Sequence, residues 1–215
     1  MTYSVKELYY TLQGEGAQAG RAAVFVRFAG CNLWNGLERD RASAVCNFCD
    51  TDFVGIDGPG GGKFVSAGDL ADKIEAAWRA DVTDQDGARP YVICTGGEPL
   101  LQVDVALIEA LHSRGFDIGV ETNGTITAPP GLDWICVSPK STAALNQTSG
   151  DELKLVYAQA DALPAAFQHL DFSHFFLQPM DGPDVIGHTA AAIEFCRTNP
   201  RWRLSLQTHK ITGIP

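Results

Sequence analysis

The strand-like segments of this chain are apolar almost without interruption, and this constrains the fold more than any other feature. Residues 23–28, 91–94, 117–121, 134–137, 153–156, 175–177 and 204–207 read this way. A strand with one wet face alternates apolar and polar residues. A continuous apolar run implies two covered faces, as in a parallel sheet flanked by helices. Helical patterns lie between the runs. Ser66-Ala67-Gly68-Asp69 opens a helix that reaches about Ala80, with Leu70, Ile74, Ala77 and Trp78 on one face. A second helix spans about residues 103–114 and stops at Gly115, and a third covers roughly residues 185–198. The elements form one alternating series, so residues 1–215 are read as a single domain. The glycine-rich residues 57–63 and the polar residues 81–90 are loops inside it. A complete eight-fold barrel takes about 250 residues. The expected fold is therefore α/β, an incomplete (partial) TIM-type barrel of about six parallel strands with few helices. A doubly wound open sheet is the alternative.

Composition limits what such a fold can bind. Hydrophobic residues make up 45% and charged residues 20%, too apolar for a disordered chain. Sixteen basic residues against 26 acidic ones give a net charge of −10. That argues against nucleic acid and against anionic membranes as partners. No apolar stretch is long enough to span a bilayer. Residues 1–7 lack the layout of a signal peptide, so a cytoplasmic location is expected.

The unusual residues fall after the strands, where such folds bind ligands. Gly30-Cys31 follows the first run, Thr95-Gly96-Gly97-Glu98-Pro99 the second, Glu121-Thr122-Asn123-Gly124 the third, Ser138-Pro139-Lys140 the fourth and Gln178-Pro179 the sixth. Turn chemistry explains one or two of these; five on one rim mark an active site. Of the six cysteines, Cys94, Cys136 and Cys196 sit in apolar patterns and read as core filler. Cys31, Cys46 and Cys49 remain. Three thiolates can hold three irons of a 4Fe–4S cluster and leave the fourth open. They could instead hold zinc, and Cys46-x-x-Cys49 could be a redox pair.

With these pieces in place the chain resembles the radical S-adenosylmethionine superfamily, and within it the 7-carboxy-7-deazaguanine synthases. Leu12-Gln13-Gly14-Glu15-Gly16, Phe25 to Leu33, Cys49-Asp50-Thr51-Asp52 and the strand-end motifs through Gln178-Pro179 carry the resemblance across most of the chain. The superfamily motif has three residues between its first two cysteines; here there are fourteen, Asn32 to Val45. The resemblance implies conversion of 6-carboxy-5,6,7,8-tetrahydropterin to 7-carboxy-7-deazaguanine with loss of ammonia. It implies a 4Fe–4S cluster, S-adenosyl-L-methionine and Mg2+ as cofactors, and a reductase or flavodoxin-type electron donor.

By the same resemblance, Cys31, Cys46 and Cys49 hold the cluster and the Thr51 hydroxyl meets magnesium. Phe48, Cys49, Asp50, Gly96, Gly97, Glu98, Ser138, Lys140 and Gln178 surround the cosubstrate, with Glu98 on its methionyl ammonium. The pterin takes Leu12, Gln13, Gly14, Glu15 and Thr95, with Arg27 on its carboxylate. His209 and the terminal carboxylate of Pro215 reach the same rim. Plain structural roles stand beside these: Glu98 as a helix N-terminal acid, Arg27 in a strand-face salt bridge, Lys140 in solvent, Gln178 and Thr51 in turns. Two competing readings of the whole chain are a glycyl-radical activase and a zinc-stabilised binding domain. The open edge of a trimmed barrel leads to the expectation of a homodimer.

Overall fold

The computed structural model describes residues 2–83 and 89–215; residues 84–88 of the polar loop lie outside the described residues. Nine strands form one sheet in the order β3-β1-β2-β4-β5-β6-β7-β8-β9. They are β1 (Tyr3–Leu12), β2 (Ala22–Phe28), β3 (Gly62–Phe64), β4 (Tyr91–Gly96), β5 (Asp117–Thr122), β6 (Trp134–Val137), β7 (Ser149–Tyr157), β8 (Asp171–Pro179) and β9 (Trp202–Leu204). From β2 onward through β4 to β9 every neighbouring pair is parallel. β1 is antiparallel to both β2 and β3. The parallel strands follow chain order without reversal, so there is no switch point of the doubly wound kind. The arrangement is a partial TIM-type barrel whose edges, β3 and β9, do not pair with each other.

β7 and β8 are each nine residues long and extend past both ends of the runs 153–156 and 175–177, and three other strands also depart from the sequence reading. β1 is a full strand whose burial pattern breaks step, because a bulge between Val5 and Glu7 shifts its register. A bulge destroys the two-residue period by which a strand is recognised. β3 is three residues inside the glycine-rich loop. The last strand ends at Leu204 rather than Gln207. There the side chains of Ser205 and Gln207 bond to Gln178 and Asp50, and a short helix α4 (Thr208–Thr212) follows.

Helices α1 (Ala67–Asp81), α2 (Val105–His112) and α3 (Val185–Thr198) cover the outside. Ser66 caps α1 by accepting from the Asp69 amide at 3.1 Å. Asp104 caps α2 through the Leu107 amide at 2.9 Å, which starts that helix at Val105 rather than near 103. α1 and α2 bury Leu70, Ile74, Leu107 and Leu111 against Val24, Val26, Val92, Cys94, Ile118 and Val120. A second core gathers Leu153, Leu155, Phe175, Leu177, Ala192 and Trp202, and Ile135 packs against both. Strand alternation then fixes what faces inward. Arg27, Thr95, Glu121, Lys154 and Gln178 point away from the helices and line the barrel interior. Cys94 and Cys136 are buried as expected, whereas Cys196 is only half-buried against the second core. Among the described residues no helix is long and apolar enough to cross a membrane.

Candidate active site

The strand ends open into one cavity of about 830 Å³. Its mouth carries the three cysteines. Cys31 follows β2 directly, while Cys46 and Cys49 return after the fourteen-residue insertion. The insertion is folded back, with the Cys46 amide donating to the Leu33 carbonyl at 3.5 Å. The two neighbouring thiols of the Cys46–Cys49 turn act on each other, drawing Cys49 down to about 6 and pushing Cys46 up; burial raises Cys31. Among the described residues no three His, Cys, Asp or Glu side chains converge as ligands of a single ion.

The double glycine after β4 lies under this loop. A Cβ on Gly97 would press on the Gly30 carbonyl and the Cys31 Cβ; one on Gly96, whose φ is +146°, would strike the Phe28 backbone. These glycines let the turn after β4 nest against the turn that carries Cys31. Glu98 is 0% exposed and does not line the cavity. Its carboxylate accepts from the Leu100 amide (2.9 Å), the Thr122 hydroxyl (2.8 Å) and the Asn123 amide (2.8 Å), fastening the β4 loop to the β5 loop. Burial raises its pKa, although those donors oppose the shift.

The interior is built around a buried cation that the sequence reading missed. Lys154 on β7 is 4% exposed and donates to Glu15 at 2.5 Å and to Glu121 at 3.1 Å. Burial alone would lower the ammonium pKa, but the two carboxylates outweigh it and hold Lys154 well above its ordinary value. Burial would likewise raise Glu121, and Lys154 reverses that. Gln13 donates to Glu121 at 3.0 Å and accepts from the Glu15 amide at 3.0 Å, and Thr95 donates to Glu121 at 3.4 Å. Arg27 donates to Glu7 at 2.7 Å and to the Tyr9 hydroxyl at 3.2 Å, which realises the salt-bridge alternative. Among the described residues the remaining guanidinium N–H groups of Arg27, which lines the cavity, meet no acceptor. Tyr9 stacks on Phe25 beside it, 5.8 Å between centroids.

The open side is closed by the segment after β9. The Thr208 amide and hydroxyl both donate to the Gly14 carbonyl, and the Thr11 hydroxyl donates to the Pro215 carbonyl. Gly14 has no room for a side chain, because His209 lies against it. Lys210 donates to Asp50 and to Asp181, at 2.6 Å each. Burial would raise Asp50, and Lys210 outweighs it to lower its pKa. Leu12, Phe48, Thr51, Ser138, Lys140 and Gln178 complete the wall. Lys140 folds back on Ser138, donating to its carbonyl at 2.8 Å and its hydroxyl at 2.5 Å. Gln178 accepts from Ser205 at 3.0 Å, and among the described residues its amide N–H groups meet no acceptor.

Comparison with known proteins adds what geometry alone cannot. No family model matches the chain. The chain is 64% identical to a 7-carboxy-7-deazaguanine synthase of Bordetella pertussis and 63% identical to one of Caulobacter vibrioides, each over the whole of both chains. The chain belongs to the 7-carboxy-7-deazaguanine synthase family. The fold agrees with a crystal structure of QueE from Escherichia coli, at a TM-score of 0.69 and 27% identity over 96% of this chain and 94% of that one. As a member of the synthase family the chain is an enzyme, and membership replaces the activase and zinc-domain readings. Apart from Glu98, all of the residues given roles toward the cluster, magnesium, cosubstrate or pterin line the one cavity. Glu121 was visible as part of a motif. Lys154 was legible as a lone charge inside Leu153-Lys154-Leu155-Val156, where a lysine needs a partner.

Proposed function

We propose that this synthase converts 6-carboxy-5,6,7,8-tetrahydropterin to 7-carboxy-7-deazaguanine and ammonia by radical chemistry. The observation that carries the reading is the joining of three thiols and a polar cradle in one cavity. The donor set fits a 4Fe–4S cluster: three thiols, those of Cys31, Cys46 and Cys49, line one cavity. When bound, the cluster and S-adenosyl-L-methionine would supply the radical that abstracts a substrate hydrogen. Cys31, Cys46 and Cys49 hold that cluster. Gly96, Gly97, Ser138, Lys140 and Gln178 orient the cosubstrate, with Phe48 and Asp50 at its edge. Glu98 serves this subsite from behind, by fixing the loops that form it.

The pterin cradle follows from the ion network. Glu15 and Glu121 are held as acceptors for the N–H groups of the pyrimidinone ring, and Gln13 supplies the donor beside them. Arg27 takes the substrate carboxylate with its free N–H pair. Tyr9 and Phe25 flank the ring, while Thr95, His209 and Pro215 close over it. Thr51 presents a hydroxyl to Mg2+, a hard ion that keeps most of its waters. The net change is loss of ammonia without oxidation, so the external reductant, a flavodoxin-type protein or a reductase, serves the cluster alone. The chain acts as a homodimer in the cytoplasm.

Anaerobic reconstitution with iron and sulfide, then reduction and product analysis with the pterin, tests the reading. The expected result is a brown protein that forms 7-carboxy-7-deazaguanine, faster with Mg2+. Absence of a 4Fe–4S signal in paramagnetic resonance would remove it.

A further inference from the structure

The insertion between Cys31 and Cys46 contains a side chain that the proposed chemistry does not use. Arg41 lies in a short 3-10 turn, Glu38–Ser43. Its guanidinium is committed on every side. Nε and Nη2 donate to Glu38, at 2.8 and 2.5 Å. Nη1 donates to the carbonyls of Asn47 (3.2 Å) and Cys49 (2.9 Å). The plane sits over the Trp34 ring, 4.1 Å from its centroid. Trp34 is itself buried edge-on against Phe53, 5.6 Å away. A residue of the excursion thus grips two backbone carbonyls of the Cys46–Cys49 turn, braced by an indole and a carboxylate. The side chain is 28% exposed, so its charge is partly shielded from water.

We infer that Arg41 is the positioning residue of this turn: it holds Cys46 and Cys49 in their ligating shape before any cluster is present, and it places a cation beside the cluster. The inference rests on the reading of that turn as the cluster holder. Two N–H groups of one planar fork reach two carbonyls while two others hold Glu38, a pattern an ammonium cannot reproduce. Residues that orient ligands without touching the bound group commonly change affinity by about 10–100-fold. A nearby positive charge favours the reduced, more negative cluster. The long spacing is then part of the holder rather than an appended loop.

The test compares Arg41→Gln and Arg41→Lys with the unaltered chain. In cluster-free protein, amides of residues 46–50 should exchange faster in both variants, while amides of β8 and α1 keep their protection and report an intact fold. After reconstitution, both variants should lose iron to a chelator about ten times faster. The midpoint potential should fall in Arg41→Gln and stay near the unaltered value in Arg41→Lys, which separates charge from grip. Exchange and iron-loss rates equal to those of the unaltered chain overturn the inference. An unaltered chain that takes up no cluster overturns the proposed function instead, and the exchange comparison still decides whether Arg41 holds the turn.

Discussion

Lys154 is the residue on which the interior depends. It sits between Glu15 and Glu121, and removing one partner of a buried ion pair strands the other. Lys154→Met should cost about 3–5 kcal/mol of stability, read by denaturant unfolding. It should also change the pH response. Glu121 now has a depressed pKa, so its contribution is present above the ordinary carboxyl value of 4.5 and disappears as pH falls through the folded value. Without the ammonium, burial and the facing Glu15 carboxylate should raise Glu121. A protonated acid loses its charge and turns one acceptor site into an O–H donor, so it holds the pyrimidinone N–H groups more weakly; the KM for the pterin should fall with rising pH in the variant and stay flat in the unaltered enzyme. A flat profile in both would show that the carboxylates do not read the substrate. Arg27 gives the complementary case. Arg27→Ala removes a charged hydrogen bond of about 1.5–3 kcal/mol, so KM should rise by about tenfold or more with little change in cosubstrate affinity. An unaltered KM would remove the carboxylate assignment.

At the scale of elements, the site depends on turns that touch one another. Gly97→Ala forces a Cβ against Gly30 and Cys31, the backbone that presents the first thiol. Overpacking of this kind costs about 1–3 kcal/mol. The expected outcome is a lower thermal midpoint together with less iron per chain after reconstitution. Full iron loading would show that the two turns move independently. α4 is the other such element. Its Lys210 ties Asp50, beside the cysteines, to Asp181 after β8, with all three side chains near 38–39% exposed. Exposed pairs contribute less than about 1 kcal/mol. Lys210→Ala should therefore leave stability nearly unchanged, while amides of residues 206–213 exchange faster and the pterin KM rises. Equal exchange in variant and unaltered chain would show that the contacts of Thr208 and Pro215 hold the segment without the clasp.

Across the whole molecule, one sheet runs beneath two cores, and Ile135 packs against both. Ile74→Ala in the first core and Leu155→Ala in the second should each cost about 2–5 kcal/mol and lower one common unfolding transition. Two separable transitions would divide the chain into two units. The alternating apolar runs contained the parallel sheet, α1 and its Ser66 cap, and the strand ends bearing Cys31, Thr95, Ser138 and Gln178, because burial and capping are local properties of sequence. β1 escaped notice because its bulge breaks the period, and β9 was read two residues late, at 204–207 instead of Trp202–Leu204, where the polar residues after Leu204 are committed to Gln178 and Asp50. Glu98 stood out by its motif, yet only three-dimensional packing joins its carboxylate to the Leu100 amide, the Thr122 hydroxyl and the Asn123 amide. Lys154 meets Glu15 from 139 residues away. Residue order alone placed these groups at the strand ends. Tertiary structure decided which of them face one another, because partners so distant along the chain meet only once the barrel has wound.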